Sequence, residues 1–143
     1  MNKKYRLTGK SWQNKTAWKL ANENWTLAHE IVDLDRGHNC QIPGCHNDSL
    51  QLDHVISRDC KSVFYEIDNL GYLCATHHTV KSFKHGGIID QKVRELCRKR
   101  MGEEKFQRML EAADRNCGGF RTVLHQEQIN IKLKEKRAEL LAN

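Results

Sequence analysis

The residues able to do chemistry gather between Asn39 and Lys84, in four short runs. Cys40 and Cys45 flank a Pro43-Gly44 turn, 28 residues separate Cys45 from Cys74, and His77 lies three after Cys74. A step of three puts Cys74 and His77 on one side of a helix's first turn. Thiolates and an imidazole in two close pairs, far apart in sequence, suit a closed tetrahedral zinc site. Asp53, His54, Asn69 and His78 remain outside that set. They are a base, hard oxygen ligands and an imidazole, the groups that phosphodiester cleavage requires.

In sequence order the runs are Cys40-x4-Cys45, Leu52-Asp53-His54-Val55, Asp68-Asn69-Leu70, and Cys74-x2-His77-His78-x2-Lys81. Asp-His on a strand, Asn-Leu before a Cys, and a last His beside the second zinc pair resemble the HNH endonucleases. The likeness covers about 45 of the 143 residues, with the motifs in the family's order. It implies a ββα-metal unit, in which a two-stranded ribbon and a helix hold one divalent ion. It also implies 5′-phosphate and 3′-hydroxyl products.

Roles follow residue by residue. His54 matches the family's first histidine and is the expected general base, its imidazole titrating near neutral pH when unperturbed. Asp53, its neighbour, faces the other way in a regular strand. There it meets His78, and the two would hold Mg2+ or Mn2+, with Zn2+ confined to the structural cluster. Asn69 matches the middle family residue, which either reaches the metal or braces the loop that orients the base. Lys81 matches a lysine that contacts phosphate; its bland alternative is a solvated helix lysine. Arg58, Lys61, Lys84, Arg94 and Arg98 are the expected DNA contacts, though solvated basic side chains are the default.

Such a site needs a scaffold. Ser49 to Ser57 reads as a strand, with Leu50 and Leu52 alternating before Asp53. Residues 58–67 read as an extended loop into a short second strand, Asp68 to Gly71 as a turn, and Tyr72-Leu73-Cys74 as the return to the ribbon. Residues 75–84 begin the ligand-bearing helix, closed by Gly86-Gly87. Upstream, Trp18, Ala21, Trp25, Ala28 and Val32 recur at helical spacing from about Asn14 to Asp33, a face expected to pack on the module. His29 beside it reads as an ordinary helix histidine, and residues 1–11 as a flexible basic lead. Downstream, Ile88 to about Arg100 and Phe106 to Asn116 read as two helices. Residues 124–141 are helix-prone but too poor in apolar residues to define a core face. A peripheral helix, a dimer arm and a DNA-ordered segment all remain open for them. The expected class is α+β: a small ββα-metal module with structural zinc at 37–85, between a lead and helix at 1–36 and a basic helical extension at 86–143.

Composition agrees with a nucleic-acid partner. Net charge is +6, but residues 40–85 carry 4 Lys/Arg against 5 Asp/Glu, whereas residues 86–143 carry 13 against 9. A slightly acidic centre between basic arms suits a metal site held against a polyanion. No apolar run at the start could serve as a signal peptide, and no segment could span a membrane. With the Cys/His spacing, that places reduced thiols in the cytoplasm of a bacterium or a phage's host. Cys97 reads as helix core filling; Cys60 and Cys117 receive no role.

A second likeness lies outside the centre. The Trp18-to-Asp35 helix, Tyr65-Glu66-Ile67-Asp68-Asn69, and Gly86-Gly87 with the helix ending near Met101-Gly102 resemble the phage Rap/NinG recombination nucleases. That likeness implies branched DNA, such as four-way junctions, as substrate. The chain departs from that group in its Cys-x4-Cys knuckle and its fuller Asp-His, Asn and His set. The rival reading is a non-catalytic zinc module that binds DNA or a protein machine.

Overall fold

The computed structural model describes residues 7–9, 11–113 and 118–143. Among these the chain is rich in helix, with five α-helices and one two-stranded sheet. No described helix is long and apolar enough to cross a membrane. Contacts divide the chain into two units, residues 38–116 and residues 1–37 with 117–143. The expected boundary near residue 85 is therefore displaced: the two helices after Gly87 belong with the module, and the last helix joins the first. Asn116, Cys117 and most of the basic lead lie outside the described residues.

In the unit of the two termini, α1 spans Lys15–Arg36 and α5 spans Val123–Ala142. Asn14 caps α1 by accepting from the Ala17 N–H at 3.1 Å, and Thr122 caps α5 by accepting from His125 at 3.2 Å. Gly37 ends α1 at φ 80, a left-handed value that favours glycine. The buried face of α1 comprises Ala17, Ala21, Leu27, Ala28, Ile31 and Val32, and its partner is α5. Trp18 and Trp25 are only half-buried, and His29 sits edge-on to Trp25.

Amides hold much of this interface. Asn24 Nδ2 donates to the Gln126 carbonyl at 2.9 Å and to Gln126 Oε1 at 3.1 Å, and Asn24 Oδ1 accepts from Asn130 at 2.8 Å. A buried polar group is tolerated when it is bonded in this way. Gln126 and Asn130 thus occupy positions where a hydrophobic pattern would show Leu or Ile. Removing residues 120–143 should leave the face of α1 uncovered and its Asn24 unpaired. We expect loss of helical signal beyond the deleted residues, or self-association, read by circular dichroism and sizing. A truncated monomer with the parent's melting midpoint would contradict this.

In the other unit, β1 (Leu50–His54) pairs antiparallel with β2 (Leu70–Cys74), Leu50 opposite Cys74 and Asp53 opposite Gly71. Then α2 (Ala75–Phe83) starts directly from β2, followed by α3 (Ile88–Met101) and α4 (Glu103–Ala113). β1 is shorter than the expected Ser49–Ser57. After His54 the Val55 N–H bonds to the Asn69 carbonyl at 2.8 Å, and the Ile56 N–H to the Asn69 side chain. Residues 58–67 hold no strand; a 3-10 turn at Lys61–Val63 is followed by a second, Ile67–Asn69, that runs straight into β2. Val63, Phe64, Tyr65 and Ile67 are buried, so their apolar character serves the core rather than a second strand. Cys97 on α3 is also buried and donates to the Asp68 carbonyl at 3.2 Å.

Candidate metal centre

Cys40, Cys45, Cys74 and His77 come together with their ligand atoms all within 4.8 Å of one another. His77 Nδ1 lies 3.4 Å from Cys40 Sγ and 3.2 Å from Cys74 Sγ, and the Cys45 and Cys74 sulfurs are 3.9 Å apart. A tetrahedral zinc with bonds near 2.3 Å to sulfur and 2.0 Å to nitrogen has ligand edges of roughly 3.5–3.8 Å. The cluster could therefore hold a metal such as zinc. Local structure explains the convergence. Cys74 is both the last residue of β2 and the N-cap of α2, accepting from the His77 N–H at 3.4 Å. Burial works against ionising this thiol, but the His77 N–H and the neighbouring thiols outweigh it and hold its pKa below the ordinary value.

A second group of side chains meets on the ribbon. Asp53 lies near the end of β1; His78 and Lys81 come from α2. His78 Nε2 is 3.6 Å from Asp53 Oδ1, and Lys81 Nζ is 3.0 Å from Oδ2. Lys81 also donates to the His54 carbonyl at 3.0 Å. Apart from that ammonium, the buried Oδ2 of Asp53 has no other donor. Burial raises the Asp53 pKa, and Lys81 and then His78 oppose that shift.

His54 is buried on the ribbon next to Asp53 and stacks at a tilt on Phe64, ring centroids 4.6 Å apart. Its Nε2 lies 3.0 Å from the Phe64 carbonyl. A carbonyl can only accept, so the hydrogen sits on Nε2 and Nδ1 carries the lone pair. Burial, with Arg58, Lys61 and Lys81 adding positive charge nearby, lowers the His54 pKa to about 4. The ring is therefore neutral at pH 7, the state that can take a proton.

Asn69 is bonded to the loop that follows β1. Its Oδ1 accepts from Ile56 at 2.7 Å, and its Nδ2 donates to the carbonyls of Ile56 at 3.2 Å and Val63 at 3.1 Å. The amide is fully buried and engaged with backbone on both sides of the loop that supplies Phe64. Asn69→Ala would strand these buried groups, each costing roughly 1–3 kcal/mol. We expect a loss of about 2–4 kcal/mol by denaturant titration at saturating zinc. Parent-like stability would mean that the loop does not depend on this side chain.

No family model, curated protein or solved structure matches this chain.

The expected DNA contacts differ in their availability. Arg58 and Lys84 are exposed. Lys61 donates to the Arg58 carbonyl at 2.9 Å and lies over the Phe64 ring. Arg94 pairs with Asp90 at 3.6 Å, while Arg98 pairs with Glu103 at 3.5 Å and covers Phe106. Those two arginines are thus partly neutralised within their own unit. Residue types alone gave no role to Phe64, whose contribution is a carbonyl that any residue carries. Nor did they point to Gln41, which follows Cys40 and packs over Gly71; that glycine, expected in a turn, lies in β2, where a glycine marks close approach.

Proposed function

We propose that the chain is a metal-dependent endonuclease of the HNH type that hydrolyses DNA phosphodiester bonds. The observation that carries this reading is the meeting of Asp53 and His78 at 3.6 Å, beside a neutral His54 whose tautomer a carbonyl fixes. Two ligands of one octahedral Mg2+ or Mn2+ stand about 3 Å apart. The 3.6 Å between Asp53 and His78 is near that distance, and Asp53 Oδ2, paired only with Lys81, offers a second oxygen. The residues fit the ion.

In this reading His54 Nδ1 takes the proton of the attacking water, and the leaving oxygen departs from phosphorus as the new P–O bond forms. The ion, when bound, supplies positive charge to the phosphoryl oxygens and the departing oxygen. The Phe64 carbonyl keeps the His54 ring oriented, and Asn69 keeps the loop carrying that carbonyl tied to β2. Lys81 holds the Asp53 carboxylate and stands where a phosphate oxygen would arrive. The Cys40, Cys45, Cys74 and His77 cluster, with zinc, fixes the start of α2 and so the position of His78.

One observation favours a second reading, a non-catalytic zinc module that binds DNA or a protein machine. Lys81 already neutralises Asp53 at 3.0 Å, so the carboxylate has a charge partner without any ion. Incubating the protein with linear, nicked, flap and four-way DNA under Mg2+ and Mn2+ separates the two. Cleavage of any of them supports the nuclease, and preference for the four-way substrate supports the branched-DNA expectation. Binding without cleavage under every ion supports the module.

A further inference from the structure

Four buried side-chain polar atoms in described residues 38–113 have no hydrogen-bond partner: Gln41 Nε2 and Oε1, Asp53 Oδ2, and Arg100 Nε. The first three lie on one face of the ribbon. The Gln41 N–H donates to the Tyr72 carbonyl at 2.9 Å, so its backbone runs along the outer edge of β2. Its side chain turns in over Gly71. A Cβ placed on Gly71 would lie 2.7 Å from Gln41 Nε2 and 2.8 Å from both Cδ and Oε1. The carboxamide therefore lies flat in the space that any other side chain would fill. Gly71 is the cross-strand partner of Asp53. Opposed residues of an antiparallel pair share a face, their Cβ positions about 5 Å apart. The amide thus lies on the same face of the ribbon as the Asp53 side chain, which His78 and Lys81 also meet.

Leaving both ends of a buried amide unbonded is costly, and the Asp53 carboxylate on the same face has only Lys81 and His78 to offset its own burial. A hard cation offsets the cost at the amide oxygen, because it takes neutral carboxamide oxygens and carboxylates together. We propose that Gln41 is the third protein residue of the ion site, offering Oε1 to the divalent ion either directly or through one water. This rests on the reading that Asp53 and His78 hold such an ion. Gly71 has a matching role: it leaves the room in which the carboxamide lies.

The test is a Mn2+ titration of the zinc-loaded full chain, followed by electron paramagnetic resonance of the free ion. Gln41→Leu removes the oxygen at similar volume and should weaken Mn2+ binding about tenfold or more, with zinc content unchanged. Gln41→Glu adds a charge at the same place and should tighten binding. Gly71→Ala should displace the amide and weaken binding as Gln41→Leu does, which keeps the test decisive if one variant folds poorly. Asp53→Asn serves as the reference for the site itself. If Asp53→Asn weakens Mn2+ binding while the Gln41 and Gly71 variants match the parent, Gln41 is only a filler and the proposal is wrong. If parent and Asp53→Asn bind Mn2+ equally poorly, the ion site itself fails, and this proposal with it.

Discussion

His77→Ala is expected to lose its zinc and much of its melting temperature, whereas His78→Ala keeps both and stops cutting DNA. Successive helical side chains point about 100° apart, so adjacent histidines are poorly placed to serve one compact site. His77 Nδ1 stands 3.2 and 3.4 Å from two cluster sulfurs, while His78 Nε2 stands 3.6 Å from Asp53. Structural zinc in small modules is worth on the order of 10–16 kcal/mol, comparable to or above a typical domain's whole stability. Losing a fourth ligand, and leaving three thiols crowded together, should therefore unfold the unit. The His78 side chain is about one-third exposed, so its truncation removes little packing. High Mn2+ should restore part of the His78→Ala activity, since Asp53 remains. The check is zinc content, melting and nicking rate measured on both variants. Zinc lost from His78→Ala and kept in His77→Ala would put the two sites in the opposite register.

His54→Ala should cut about 10²–10⁴-fold more slowly while still binding DNA, the usual scale for a removed general base. The neutral ring, its lone pair on Nδ1, is what makes that loss specific to the chemistry. Truncation also opens space against Phe64, at roughly 2–4 kcal/mol for a buried ring. Zinc-loaded protein should tolerate that cost, and melting of the variant separates the two effects. Parent-like cleavage by folded His54→Ala would remove His54 from the mechanism.

The zinc-type cluster was legible because short spacings at a turn and at a helix start leave the ligands little freedom. Asp53 and His78 were legible for a related reason: strand alternation and the helical step fix which way each points. Strand lengths were not. Val55 and Ile56 continue a strand-like pattern but bond to Asn69, and no local preference reveals that partner. Val63, Phe64, Tyr65 and Ile67 have strand-like composition yet lie in two 3-10 turns and the turn between them, because tertiary burial overrides propensity. The last helix was hidden by its chemistry: Asn24, Gln126 and Asn130 build a polar interface that a search for apolar periodicity passes over. Gln41 could not be found by type, since an unpartnered amide exists only in three dimensions.

The central claim is that a divalent ion at Asp53 and His78 drives phosphodiester cleavage. Its most direct test is nicking of supercoiled plasmid by zinc-loaded protein, with Mg2+ or Mn2+ added, beside Asp53→Asn protein of equal zinc content and melting temperature. We expect open circles from the parent only when the ion is present, and none above background from Asp53→Asn. An intact plasmid under every ion, or equal nicking by Asp53→Asn, would contradict the account.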